Sequence, residues 1–248
     1  MNKDNLFTLD YFISHRGASA IAPENTFAAI RLAKSYGSTW VELDVRFSGD
    51  KELIVFHDSN LFRTTGINSS VLNKSYKDLK NYDVGEWFHK SFKGEKIPTL
   101  IEVINYCNNN SINLNIEIKT EKGLEFSIGS KVQETVSKSW SSKNNLLISS
   151  FDFKPLSKIV ETQKVKKMIL LEEFSKKKFV KYNLNSFYYF GLDFKKVDKK
   201  VITYLLDLRK KVLVYTVNDP LEAKLLKSWG VTSIFTDFPK NLILLDDG

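Results

Sequence analysis

Short apolar runs rich in β-branched residues recur along this chain, and stretches with helical periodicity separate them. The runs fall at residues 11–14, 40–45, 112–118, 146–150, 167–171, 188–193, 211–217 and 232–236. Residues 24–36 place Phe27, Ile30 and Ala33 at helical spacing before a stop at Gly37, and 123–139, 201–208 and 221–229 read the same way. Strands joined through helices lie parallel, because the crossover returns the chain to its starting edge. Eight such units predict closure into a (β/α)8 TIM barrel, and 248 residues is close to the usual length of one. An open doubly wound sheet is the alternative, but no glycine-rich dinucleotide fingerprint follows any run to support it. Residues 1–248 read as a single domain.

One segment breaks the rhythm. After the second strand and a further extended piece at 53–56, residues 59–98 are polar, rich in Lys, Asn and Ser, and interrupted by Gly66, Gly85 and Gly94. A bare loop of that length is out of place in a compact domain. The segment is expected to be a small folded insertion near one barrel mouth. Its aromatic residues Tyr76, Tyr82, Trp87, Phe88 and Phe92 are the candidates for its packing.

Composition narrows the class further. A net charge of +8 favours anionic partners. The basic residues come in short groups beside apolar stretches, such as Lys176-Lys177-Lys178 and Arg209-Lys210-Lys211, and read as solvated helix faces and not a nucleic-acid stripe. The single cysteine, Cys107, lies in a helix-like stretch and reads as a core residue. No run approaches 18 apolar residues, so no transmembrane segment is expected. The mixed N-terminus does not look like a signal peptide, and a cytoplasmic enzyme is the expectation.

The active site of such a barrel lies at the C-terminal ends of the strands. The first strand ends in Ser14-His15-Arg16-Gly17, the second carries Glu42 and Asp44, and the extended piece ends in His57-Asp58. The third ends in Glu117 and Lys119. Strand residues i and i+2 share a face, so Glu42 points with Asp44 and Glu117 with Lys119. A Glu-x-Asp pair more often marks a solvent-facing hairpin, but Trp40, Val41, Leu43 and Val45 around it read as a core strand. Three converging carboxylates repel unless a cation or basic groups neutralise them. Oxygen-only donors suit one hard divalent cation, Mg²⁺ or Ca²⁺, better than zinc. Of three histidines, two sit at strand ends; His89 falls in the insertion.

At these residues the sequence resembles the glycerophosphodiester phosphodiesterase family. His15-Arg16-Gly17, Pro23-Glu24-Asn25-Thr26, Glu42-Leu43-Asp44-Val45 and His57-Asp58 follow the family's opening in order and spacing. Leu61-Phe62-Arg63-Thr64-Thr65-Gly66, the run from Gly94 to Leu100, Ile116-Glu117-Ile118-Lys119, Ser150-Phe151-Asp152 and Thr236-Asp237-Phe238-Pro239 are similar to its later landmarks. The resemblance implies a metal-dependent hydrolase that splits small-molecule glycerophosphodiesters into sn-glycerol 3-phosphate and an alcohol. It implies that Glu42, Asp44 and Glu117 hold the metal, that His15 and His57 perform the acid–base steps, and that Arg16 and Lys119 meet the phosphate. Tyr215 stands where the family often has Trp, in the wall against which substrate packs, and Thr232-Ser233 replaces a common Asp-Gly pair. The alternatives are a related barrel lipase of the phospholipase D kind and a non-catalytic anion-binding barrel.

Overall fold

The computed structural model describes residues 7–141, 143–181 and 183–238. Nine strands are present among them: β1 (Phe12–Ser14), β2 (Trp40–Phe47), β3 (Leu53–Val55), β4 (Asn113–Ile118), β5 (Leu146–Ser150), β6 (Val165–Leu171), β7 (Tyr189–Asp193), β8 (Lys211–Tyr215) and β9 (Ser233–Thr236). Eight of them pair in parallel around a ring, and β1 closes it by pairing with both β2 and β9. The ninth, β3, runs antiparallel on β2 with Val45 opposite Val55, and so lies outside the ring. The barrel expected from the alternation is the observed fold.

The helices between these strands are α1 (Phe27–Ser35), α2 (Phe62–Thr65), α3 (Tyr76–Leu79), α4 (Leu100–Asn110), α5 (Glu125–Ser139), α6 (Phe153–Leu156), α7 (Lys176–Lys181), α8 (Lys199–Asp207) and α9 (Pro220–Ser228). Their starts follow from local chemistry. Thr99 and Glu102 form a reciprocal capping box on α4, and Asp219 caps α9 ahead of a proline whose missing N–H costs nothing there. The first helix begins at Phe27 and not at residue 24, because Thr26 is its cap and Asn25 adopts a left-handed φ of 60°. The Arg209–Lys211 group is not a helix face: α8 ends at Asp207, and Lys211 opens β8. Ser233 fits the last strand, fully buried, with its hydroxyl donating to the Asp10 carbonyl at 2.6 Å.

Side chains alternate across each strand, and the two sets form separate cores. Inside the ring, Ile13, Trp40, Leu147, Met168, Tyr189, Leu213 and Phe235 fill the lower barrel, and Phe7 plugs its floor edge-on against Trp40 and Tyr189. Outside it, Val41, Leu43, Ile116, Ile148 and their neighbours meet the helices. Each fully buried aliphatic side chain contributes about 1.5–3 kcal/mol. This apolar bulk offsets the several kcal/mol that each buried carboxylate above it costs. Cys107 belongs to the outer core, where burial pushes its thiol up to about 12.

The insertion has a small core of its own, but aliphatic residues make most of it, with Phe56 from the preceding extended piece. Ile54, Phe56, Leu61, Val71, Leu79, Val84 and Ile97 are buried together, with Tyr76 and Tyr82 at the margin. Trp87, Phe88 and Phe92 form an edge-to-face row outside that cluster, and Trp87 is 41% exposed. Among the described residues, no helix is long and apolar enough to cross a membrane.

Candidate active site

Strand register assembles the acidic cluster. Asp44 on β2 pairs in register with Glu117 on β4, and Glu42 with Asn115, so the inward-facing residues of the two strands lie side by side. One carboxylate oxygen from each of Glu42, Asp44 and Glu117 falls within 4.8 Å of the others. All three residues are buried, Asp44 completely. Asn25 clamps Asp44 from both directions: its Nδ2 donates to Oδ2 at 2.8 Å, and its Oδ1 accepts from the Asp44 N–H at 3.0 Å.

The loop after β1 brings the first histidine and arginine over this cluster. Gly17 takes a φ of 82°, and a Cβ there would lie 2.6 Å from the Ala29 Cβ, so only glycine lets the loop pack on α1. Arg16, also left-handed at φ 55°, donates its N–H to Glu42 Oε2 at 2.9 Å and lays Nε 3.2 Å from Asp44 Oδ2. The Lys119 ammonium pairs with Glu117 and lies 3.0 Å from Asp44 Oδ1, the latter without hydrogen-bond geometry. Burial opposes ionisation of Asp44, but the charges of Lys119 and Arg16 hold it well below the usual carboxylate range. At Glu42 burial prevails over the favourable charges of His15 and Arg16. Burial, reinforced by the Asp44 charge, pushes its carboxyl up to about 8, and its Oε1 has no hydrogen-bond partner. With all three ionised, as metal ligation requires, two cations leave one negative charge unbalanced. A buried oxygen-only donor set with that deficit and an orphaned oxygen fits one divalent cation.

Both strand-end histidines are tethered at Nδ1. His15 Nδ1 meets Asp237 Oδ1 at 2.6 Å, which leaves Nε2 facing the cluster, 3.9 Å from Glu42 Oε2. Asp237 is itself held, accepting from the Ser19 hydroxyl at 2.9 Å and from Asn218 Nδ2 at 2.8 Å. His57 Nδ1 meets Asp58 Oδ1 at 2.6 Å, and the His57 carbonyl accepts from buried Arg46 at 2.9 Å. Burial works to lower the pKa of both rings. In His57 it prevails; in His15 the Asp237 hydrogen bond and the Glu42 charge outweigh it and raise the value.

A cavity of about 720 Å³ opens over these groups, with His57, Lys119, Glu117, Arg46 and Phe151 in its wall. Beneath it, a space of about 30 Å³ is lined by His15, Glu42, Glu117 and Tyr215. The Tyr215 hydroxyl donates to the Leu171 carbonyl at 3.0 Å, and its ring meets Phe151 edge-on. The insertion gives the larger cavity Ser59 and Asn60, and none of its aromatic residues lines it. His89 is exposed, capping a turn at Ser91 in the insertion. The structure therefore gathers His15, Arg16, Glu42, Asp44, His57, Glu117, Lys119 and Tyr215 at one mouth. It adds Asn25, Asp237, Asp58 and Arg46, whose contacts sequence reasoning did not supply. Asp58 and Asp237 lay inside the quoted motifs, but nothing local marks either as a histidine's partner.

The chain has counterparts among known proteins. A glycerophosphodiester phosphodiesterase of Caldanaerobacter subterraneus is 31% identical over 244 residues, covering 94% of this chain and 96% of its own. The solved structure of an Oleispira antarctica phosphodiesterase, in complex with the product sn-glycerol-3-phosphate, superimposes with a TM-score of 0.91 at 29% identity. That match covers 97% of this chain and 98% of the other. The Thermotoga maritima glycerophosphodiester phosphodiesterase gives a TM-score of 0.74 at 26% identity, covering 96% and 98%. Residues 15–241, from the first tethered histidine to just past its aspartate, match the glycerophosphoryl diester phosphodiesterase family, and the chain belongs to that family of phosphoric diester hydrolases.

Proposed function

We propose that the protein hydrolyses glycerophosphodiesters such as glycerophosphocholine and glycerophosphoethanolamine to sn-glycerol 3-phosphate and an alcohol. The observation that carries this reading is the pair of carboxylate-tethered imidazoles over a buried three-carboxylate cluster flanked by Arg16 and Lys119. The Oleispira relative, seen with sn-glycerol-3-phosphate, supports the same substrate class. Glu42, Asp44 and Glu117 would hold one Mg²⁺ or Ca²⁺. Such a cation, when bound, neutralises charge on the non-bridging phosphate oxygens.

The chain's own groups do the rest. Arg16 offers a planar fork and Lys119 a point charge to the phosphate as negative charge builds. One imidazole takes the proton of the attacking hydroxyl while the other gives one to the leaving alkoxide. The attacking oxygen belongs to water, or to the glycerol 2-hydroxyl with a cyclic phosphate following. Phe151 walls the larger cavity, where the substrate's carbon skeleton would lie, and Tyr215 backs it edge-on.

The test is glycerol 3-phosphate release from glycerophosphocholine, with and without exhaustive chelation. Activity is expected to vanish on chelation and return with Mg²⁺ or Ca²⁺. His15→Ala and His57→Ala are each expected to lose on the order of 10²-fold in kcat, while His89→Ala stays near the parent. Full turnover by metal-free protein sinks the metal assignment, and a His89→Ala loss as large as the others sinks the division of the histidines. Faster turnover of a lysophospholipid would move the reading to a phospholipase D-like enzyme.

A further inference from the structure

The insertion's first helix, α2, is a single turn closed by Gly66 at φ 74° and anchored by Leu61, which is fully buried. From it projects Arg63, whose guanidinium uses all three of its nitrogens. Nη1 and Nη2 grip the two oxygens of Glu24 at 2.7 and 2.8 Å, and Nε donates to Asp58 Oδ2 at 2.6 Å. Each of these carboxylates has a second engagement. Glu24 Oε1 also accepts from Arg16 Nη1 at 2.8 Å, and Asp58 Oδ1 holds His57 Nδ1. A continuous chain therefore runs Arg16, Glu24, Arg63, Asp58, His57, with the Trp87 ring 5.7 Å from the Arg63 Cζ on its outer side.

Isolated surface ion pairs contribute little, but a bidentate, networked one is the exception. The planar fork matters here, because an ammonium cannot grip two carboxylates in three fixed directions. Glu24 and Asp58 are each three-quarters or more buried at the side chain, and the fork is a second anchor for each beside Arg16 and His57.

We propose that Arg63 is a positioning residue that sets Arg16 and His57 together, so that the insertion supports the reaction itself. This rests on the roles given to Arg16 and His57 above. It differs from the expectation that the segment's aromatic residues simply supply its packing.

The test is steady-state kinetics on glycerophosphocholine with Arg63→Ala and Arg63→Lys, alone and combined with Glu24→Gln or Asp58→Asn. Loss of such a supporting contact costs about 10- to 100-fold in kcat/KM. It should divide into a raised KM through Arg16 and a lowered kcat through His57. In the Asp58→Asn background Arg63→Ala should lower kcat no further, and in the Glu24→Gln background it should raise KM no further. Millimolar guanidinium should restore part of the Arg63→Ala activity, and Arg63→Lys should not substitute for it. Thermal melts report folding separately, and Arg63→Gln serves for the same comparisons if the alanine variant does not fold. Parent-like kinetics in Arg63→Ala, with His57→Ala and Arg16→Ala inactive, would overturn the proposal and leave the catalytic reading standing. Losses additive with both carboxylate variants, unrescued and proportional to melting temperature, would make Arg63 merely structural and also overturn it. Active His57→Ala and Arg16→Ala variants would instead show that the catalytic reading had failed.

Discussion

A neutral imidazole carries one N–H, and fixing a carboxylate on one ring nitrogen decides which nitrogen is left for chemistry. Asp237 and Asp58 both occupy Nδ1, so both histidines present Nε2 to the mouth. Asp237→Asn should therefore lower kcat on the order of 10- to 100-fold with little change in KM, because it loosens the His15 ring without touching the phosphate contacts. An unchanged kcat in steady-state assays would show that the tether is not used. Seven of the eight candidate residues could be named because each sits in or at the end of a recognisable strand or motif, and Tyr215 came from the family resemblance alone. Asp237 was not legible as a partner, since it meets His15 across 222 positions and sequence spacing does not say which loop tops touch. The same holds for Asn25, whose hold on Asp44 needs a left-handed backbone that no periodicity reveals.

At the scale of elements, the loop from β1 to α1 carries Arg16 and rests on one glycine. Gly17→Ala meets Ala29 Cβ at 2.6 Å and Ala29 C at 2.7 Å in addition to its φ of 82°. We expect it to cost about 2–3 kcal/mol and to lower activity by shifting Arg16. Gly37→Ala shares the positive φ but has nothing within 4 Å, so only backbone strain applies, about 1 kcal/mol. Urea unfolding of the two variants separates these costs, and equal losses would mean that the contact with Ala29 is soft. The eight barrel strands were legible because each is a short apolar run, β-branched or aromatic, set between helical stretches. The one-turn helices α2, α3 and α6 were not, being too short to show a period. In the insertion, irregularly spaced and mostly aliphatic residues carry the core, and neither a count of aromatic residues nor a fixed repeat points to them.

Over the whole molecule, acid should act through the carboxylates that hold the mouth together. Burial disfavours the Asp58 charge, but hydrogen bonds from Arg63 and His57 keep its value at about 2. An unfolded chain has about 3.9 there. The native state thus binds fewer protons between the two values, and the stability this group contributes above about pH 4 is lost as pH falls toward 2. Comparing urea unfolding of the parent and Asp58→Asn, the gap between them should narrow by on the order of 1 kcal/mol across that window, after allowance for solvent screening. Parallel curves would rule the contribution out. The plugged barrel floor has a different kind of outcome. Phe7 and the side chains around Trp40 and Tyr189 close the lower end, and the small space under Glu42 has room for little more than a water. With the floor closed among the described residues, both halves of a cleaved diester would leave through the mouth by which the intact molecule entered. On the reading proposed above, the half that bears the phosphate, held at Arg16, Lys119 and the carboxylates, would go last. Present in excess outside, it would re-enter an empty chamber in competition with fresh substrate, and the molecule's own output would then limit its traffic.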